Sequence, residues 1–324
     1  MTLKTRLRIG TRRSKLALTQ SEIVKARLEE AHPELQVELV PMATKGDWTP
    51  EQGEVKLEEK EGGKALWVVD IEEALRKGEI DCAVHSMKDV PTFLHSMFKV
   101  SHVLPREDAR DTFISFKYNA LEELPLGSVI GTSSARRKAV LKYVRPDIEV
   151  TTFRGNIDTR LAKLKAGQVD AIILAAAGLK RLGLESMITE YLSAEDMLPS
   201  ACQGIVGIET RKDDLLTTRL LDEIHCTRTG LIAHAERAVL EVLDGSCATP
   251  IGAYAQFTKD QNKDKTMRLR AFVACPEGHA LYAEQILGNV TNKNEAVELG
   301  QKLGRRLRSV VPVELLSTET AQKI

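Results

Sequence analysis

The sequence predicts an α/β protein of two lobes with mixed, mainly parallel sheets, followed by a small α+β domain at the C-terminal end. Three observations carry this expectation. Short apolar runs alternate with amphipathic helical segments over most of the chain, the pattern of βα units. One unit, a strand followed by Gly-Thr, a serine, basic residues and a helix, occurs twice, at Ile9-Gly10-Thr11-Arg12-Arg13-Ser14 and at Ile130-Gly131-Thr132-Ser133-Ser134. Near Thr229 the pattern changes to a helix, three strands and a closing helix. With 324 residues the chain is also too long for one ordinary core.

Leu7-Arg8-Ile9 reads as the first strand, and a helix is expected from Lys15 to Ala31 with Ser14 as its N-cap. Arg12, Arg13 and Lys15 stand where positive charge opposes the helix dipole, which an anion over the helix start would offset. Leu35–Val40 alternates as a second strand. Residues 44–63 are polar and acidic with several glycines, the composition of a mobile loop. A helix near Asp70–Lys77 leads to the buried strand Asp81-Cys82-Ala83-Val84 and then to His85-Ser86-Met87-Lys88-Asp89-Val90-Pro91. A loop just past a strand of an open α/β sheet is where ligands sit. Alternation puts Ser86 and Lys88 on one side and leaves Asp89 at the turn that Pro91 closes.

After a strand at Met97–Leu104, the charged run Pro105–Asp111 reads as a hinge. The second lobe then repeats the first: a strand at Ser128–Gly131, a polar turn, and a helix from Ala135 to Val144 stopped by Pro146. Five basic residues and no acid lie between Gly131 and Pro146. Ile148–Phe153 is a further strand, ending in Arg154-Gly155-Asn156; Asn156 is placed to cap the next helix, with Arg160 one turn on. Asp170–Ala175 is a buried strand followed by small residues and Arg181. Leu198–Gly204, with Gln203, crosses back, so that Gly204–Glu209 returns to the first sheet. A helix at Thr229–Leu243, the loop Asp244–Pro250, strands at Ile251–Phe257, Met267–Cys275 and Leu281–Leu287, and a helix at Lys293–Ser309 complete the chain. The expected domains are therefore residues 1–104 with 204–222, residues 105–203, and residues 223–324, the first two forming a clamshell.

Composition narrows the function. Lys+Arg and Asp+Glu balance at 46 each, so no global field favours nucleic acid or an anionic membrane, and aromatic residues for base stacking amount to 4%. No apolar run has the roughly 18 residues of a membrane span, and the N-terminus has no apolar signal core. Five scattered cysteines without a CxxC pair point to a reducing, cytoplasmic setting, with neither disulfides nor a metal.

Anion binding must then be local. Arg12, Arg136, Arg137, Arg154, Arg160 and Arg181 all follow strands or open helices, and guanidinium forks match carboxylates and phosphates. Their number fits a ligand with many negative groups. Asp89 is a carboxylate among cations, suited to stabilising a cationic intermediate or to moving protons. Cys247, between small residues, is open to three readings: a nucleophile, an attachment point, or a small buried residue. The rival reading is a clamshell that binds a polyanion without chemistry, which needs neither Asp89 nor Cys247.

The chain resembles the porphobilinogen deaminase (hydroxymethylbilane synthase) family. The resemblance runs nearly end to end through Ile9–Ala17, Gly62-Gly63-Lys64, Ala83–Pro91, Gly131–Arg137, Phe153–Arg160, Ala177–Gly183 and Gly245–Gly252. It implies type II periplasmic-binding-protein-like lobes and a dipyrromethane cofactor joined by thioether to Cys247. It also implies head-to-tail condensation of four porphobilinogens with loss of ammonia, then hydrolytic release of hydroxymethylbilane for haem biosynthesis. By the same resemblance Asp89 is the catalytic carboxylate. Arg12, Ser14, Gln20, Ser86, Lys88, Ser134, Arg136, Arg137, Arg154, Gly155, Asn156, Arg160, Arg181 and Gln203 contact cofactor and substrate, and Lys64 belongs to a lid loop. A cytoplasmic monomer that passes its product to the next tetrapyrrole enzyme is expected. Each pyrrole ring carries an acetate and a propionate, which a neutral protein holds only through clustered arginines. Some positions depart from the family pattern: Val69 replaces an expected lysine, Trp67 a phenylalanine and Cys202 a small residue, usually glycine, and the 49–61 loop is more acidic.

Overall fold

The computed structural model describes residues 4–44, 68–243, 249–258 and 265–316. Lys64, Trp67, the acidic 49–61 loop and Cys247 lie outside the described residues. In chain order the elements are β1 (Arg6–Arg12), α1 (Lys15–Ala31), β2 (Gln36–Met42), α2 (Val69–Arg76), β3 (Cys82–Ser86), β4 (Phe98–Val103) and β5 (Asp111–Ile114). There follow β6 (Val129–Gly131), α3 (Ala135–Val144), β7 (Glu149–Thr151), α4 (Ile157–Lys165), β8 (Ala171–Ala175), α5 (Ala176–Arg181) and β9 (Glu190–Tyr191). The remainder is β10 (Val206–Arg211), α6 (Leu215–Asp222), α7 (Thr227–Leu243), β11 (Ile251–Phe257), β12 (Thr266–Ala274), β13 (Leu281–Asn289) and α8 (Lys293–Val310).

The described chain divides into two compact units. One comprises residues 4–44, 68–107 and 204–230; the other holds the rest. The first unit is built on a five-stranded sheet in the order β2-β1-β3-β10-β4. β1 runs parallel to β2 and β3, and β10 is antiparallel to both β3 and β4. Four strands thus point one way and one returns. The second unit repeats the arrangement as β7-β6-β8-β5-β9, with β5 as the reversed strand. Both sheets are therefore mixed and mainly parallel, and β10 does return to the first sheet.

Helices cover both faces of the first sheet, so its central strands β3 and β10 are buried almost throughout, while the outer β2 alternates buried and exposed residues. Leu7, Ile9, Cys82, Val84 and Ile208 pack with Val24 and Leu28 of α1 on one face. Ala83 packs with Ile71, Ala74 and Leu75 of α2 on the other. Leu7 and Ile9 are fully buried, each contributing about 1.5–3 kcal/mol. Cys82 and His85 therefore occupy opposite faces of β3, and burial pushes the Cys82 thiol up to about 12.

In the second unit Phe113, Ile130, Leu141 and Ile173 form the core beneath α3, and Phe272 and Ala274 of β12 pack into the same cluster. β11, β12 and β13 make an antiparallel sheet. α8 lies against α7 at Gly300 and Gly304, where a side chain would collide with Ala235 and Val242.

Candidate active site

In the first unit, β1 ends at Arg12 and the chain turns into α1. Ser14 caps the helix, its Oγ accepting from the Ala17 N–H at 3.3 Å, and the first turn holds no acid. Gly10 lets β1 pass Ile80: a Cβ there would lie 2.3 Å from the Ile80 Cδ1. One and a half turns along α1, the buried Gln20 amide reaches β3, with Nε2 and Oε1 2.9 and 3.2 Å from Ser86 Oγ.

Beyond Ser86 the strand does not continue. Met87–Asp89 forms a single 3-10 turn, held by the Met87 N–H donating to the Ile205 carbonyl at 2.9 Å. The alternation expected for Ser86 and Lys88 therefore stops at Ser86, because the turn replaces the two-residue period of a strand. Lys88 and Asp89 are both half-buried.

The second unit holds most of the arginines. Ser134 caps α3, accepting from the Arg137 N–H at 3.3 Å. Arg136 and Arg137, in its first turn, are only 4% and 5% exposed, and both meet Asp111 on β5. Asp111 Oδ2 accepts from Arg136 Nη2 at 2.6 Å, and Oδ1 accepts from Arg137 Nη2 at 2.7 Å and Nε at 3.1 Å. Gln203 Nε2 adds a further bond to Oδ1 at 2.8 Å. Two carbonyls complete the shell: Arg136 Nη1 donates to Leu198 O and Arg137 Nη1 to Ile173 O.

Burial alone would push the Asp111 carboxyl up; Arg136 and Arg137 outweigh it and hold the group well below the usual carboxylate range. Burial lowers the Arg136 value against the pull of Asp111. Two guanidiniums share one carboxylate, so the cluster keeps an excess positive charge. Arg136 Nε is buried without a hydrogen-bond partner.

Arg154 is 6% exposed, and its carbonyl accepts from Lys163 Nζ at 3.1 Å. Arg160 Nε donates to the Gly155 carbonyl at 2.8 Å. Gly155 has φ of 116°, where a Cβ would also strike Thr159, so glycine is required. Asn156 takes the N-cap position of α4, yet its side chain makes no capping bond, unlike the sequence expectation. Arg181 ends α5, half-buried.

The first unit thus places Gln20, Ser86, Lys88 and Asp89 at the end of β3, and Ser14 at the start of α1. The second gathers Arg136, Arg137 and Gln203 on Asp111. Asp111 was not singled out from the sequence, since its partners lie 25, 26 and 92 positions away. A carboxylate inside a run of charges gives no sign of which cation it will meet.

Comparison with known proteins adds an independent line. Residues 7–219 match the family model described as porphobilinogen deaminase, dipyromethane cofactor binding domain, and residues 231–309 match the porphobilinogen deaminase C-terminal domain. A curated protein of Lysinibacillus sphaericus (strain C3-41), named porphobilinogen deaminase, is 45% identical over 319 residues, covering 97% of each chain. Among solved structures, the methionine binding protein MetQ is similar with a TM-score of 0.44 and 14% identity, covering 71% of this chain and 94% of that one. The aliphatic sulphonate binding protein SsuA from Escherichia coli gives 0.40 and 15%, covering 73% and 70%.

Proposed function

The chain belongs to the porphobilinogen deaminase family, and from that premise we propose that Asp89 is its catalytic carboxylate and Cys247 the attachment point of its dipyrromethane. The enzyme condenses four porphobilinogens head to tail with loss of ammonia and releases hydroxymethylbilane by hydrolysis. The observation that carries the assignment to Asp89 is its position: a half-buried carboxylate on a turn fixed by Gln20–Ser86 and by Met87–Ile205.

The chemistry of the donor set fits the cofactor. Dipyrromethane supplies the pyrrole carbon from which the chain of rings grows, and its acetates and propionates are anions. The surplus positive charge around Arg136 and Arg137 suits such groups. Because Asp111 already engages both guanidiniums, their part is to supply field and to fix α3. Arg12, Ser14, Lys88, Ser134, Arg154, Gly155, Asn156, Arg160, Arg181 and Gln203 complete the proposed binding set. Lys64 is assigned to the lid.

Asp89 acts where positive charge develops. Departure of ammonia from porphobilinogen leaves an azafulvene cation, and a carboxylate at the pyrrole N–H stabilises it. The same group moves a proton toward the departing amine. Lys88, the next residue, is suited to a substrate carboxylate.

The proposed domains are residues 1–104 with 204–222, residues 105–203, and residues 223–324. No helix among the described residues is long and apolar enough to cross a membrane. We place the enzyme in the cytoplasm as a monomer that hands its product to the next tetrapyrrole enzyme. The test is ammonia release from porphobilinogen by the purified chain and by Asp89→Asn. The wild type is expected to release four ammonias per bilane, and the folded variant almost none. Wild-type-like turnover by Asp89→Asn would remove the assignment.

A further inference from the structure

Behind the Ser86–Asp89 turn the first unit buries acids that this chemistry does not use. His85 precedes Ser86 on β3, and its Nε2 lies 2.8 Å from Glu209 Oε2 on β10. Both side chains are almost fully buried, with Glu209 only 1% exposed. The second oxygen of Glu209, Oε1, is buried with no hydrogen-bond donor. Glu209 also interacts with a second carboxyl, that of Glu72 on α2.

Two touching carboxyl groups do not both ionise; one proton between them turns repulsion into a hydrogen bond. Burial, then the charge of Glu209, push Glu72 up to about 7, while His85 opposes them. The charges acting on Glu72 are those of Glu209, from β10, and His85, from β3. On α2 itself, the neighbouring Glu73 is turned to Arg76 and Lys77.

We propose that Glu72 is a positioning residue: the proton it shares with Glu209 holds His85, and through His85 the Ser86–Asp89 turn, in the arrangement that catalysis uses. The proposal rests on the reading of Asp89 given above. β3 is then fixed from both faces just before the turn, by Gln20 on the α1 side and by the acid pair on the α2 side. Loss of the proton sets two carboxylates against each other between α2 and β10, and a small displacement of a reacting group is expensive in rate.

Glu72→Gln separates positioning from folding, because its amide still donates to Glu209 but does not ionise. Rates of the holoenzyme would be measured against pH. The wild-type kcat is expected to fall as pH rises through about 7. Glu72→Gln should lack that limb, keep KM, and hold kcat at neutral pH within about threefold. Glu72→Ala, which removes the hydrogen-bond donor to the buried Glu209 altogether, should lower kcat at all pH values.

Stability supplies a readout without turnover. The Glu72 value is raised in the folded state, so its contribution is complete below the ordinary 4.5 and is lost as pH rises through about 7. The Tm advantage of Glu72→Gln over wild type should therefore grow across that window and then level off. An unchanged basic limb in Glu72→Gln, a wild-type kcat that is flat across pH 7, or a constant Tm difference would each overturn the proposal. If Asp89→Asn is inactive while Glu72→Gln keeps the limb, only the role of Glu72 falls. If Asp89→Asn turns over normally, the reading of Asp89 fails, whatever Glu72 does.

Discussion

Asp111 Oδ1 lies 2.7 Å from Arg137 Nη2 in a site where the carboxylate is fully buried and the arginine nearly so. Arg136 meets the other oxygen of the same carboxylate. A buried charge of this kind matters most when one partner is removed. Asp111→Asn leaves two guanidiniums facing a neutral amide, at a cost of about 3–5 kcal/mol. Denaturant titration checks the figure, and a loss below ~1 kcal/mol would show that the pair is solvated in solution.

The same carboxylate gives the second unit an acid limit. Its value is lowered on folding, so its contribution is present above the ordinary 3.8 and is lost as pH falls toward the folded value. Wild-type stability should decline with acidification below that point. Asp111→Asn, measured by thermal melting over the same range, should lack this part of the decline.

Cys202 has φ of 61°, the one non-glycine residue in the left-handed region among the described residues. Its N–H donates to Glu236 Oε2 at 2.5 Å, and its side chain is 1% exposed. Cys202→Gly relieves about 1–2 kcal/mol of left-handed strain. Against this stand about 0.5–1 kcal/mol for the flexibility of glycine and the loss of a small buried side chain. The net change should lie within about 1 kcal/mol of wild type, whereas Cys202→Val should cost about 2 kcal/mol or more. Comparative melts decide; equal effects would mean that the backbone there is not constrained.

Glu236 is fully buried on α7 and accepts two backbone N–H groups, from Cys202 and, at 2.7 Å, from Ala255. Glu236→Gln keeps the shape but turns an NH2 toward one donor, so a loss of about 1–3 kcal/mol is expected. The sequence offered no sign of this role, since a glutamate in a helix is usually a solvated one.

Gln20→Ala removes the amide from Ser86 Oγ and leaves a part-buried hydroxyl without it. Stability should fall by about 1–3 kcal/mol. Because Ser86 opens the turn that carries Asp89, kcat should fall more than KM rises. A change confined to KM would assign Gln20 to substrate binding rather than to the turn.

Much of this architecture was legible. α1 spans Lys15–Ala31 and α3 spans Ala135–Val144 as the caps Ser14 and Ser134 and the stop at Pro146 predict. The buried strands announced themselves as short apolar runs. Two strands did not. Asp111–Ile114 follows directly on a charged hinge, and Glu190–Tyr191 has only two residues, too few for any period to show. The site was legible as a collection of residue types but not as a set of contacts. The pairing of Arg136 and Arg137 with Asp111 was not legible, because β5 and α3 are brought together only by the folded second unit. The Glu72–Glu209–His85 group was hidden for the same reason, its members coming from three elements.

The central claim, a self-primed chain growing on Cys247 under Asp89, is tested most directly by intact mass. The purified wild type would be compared with Cys247→Ala, before and after incubation with porphobilinogen. An excess of two linked pyrrole rings in the wild type alone, with further ring increments on incubation, is the predicted result. A wild type that carries no adduct even after incubation, or an equal adduct on Cys247→Ala, would contradict it.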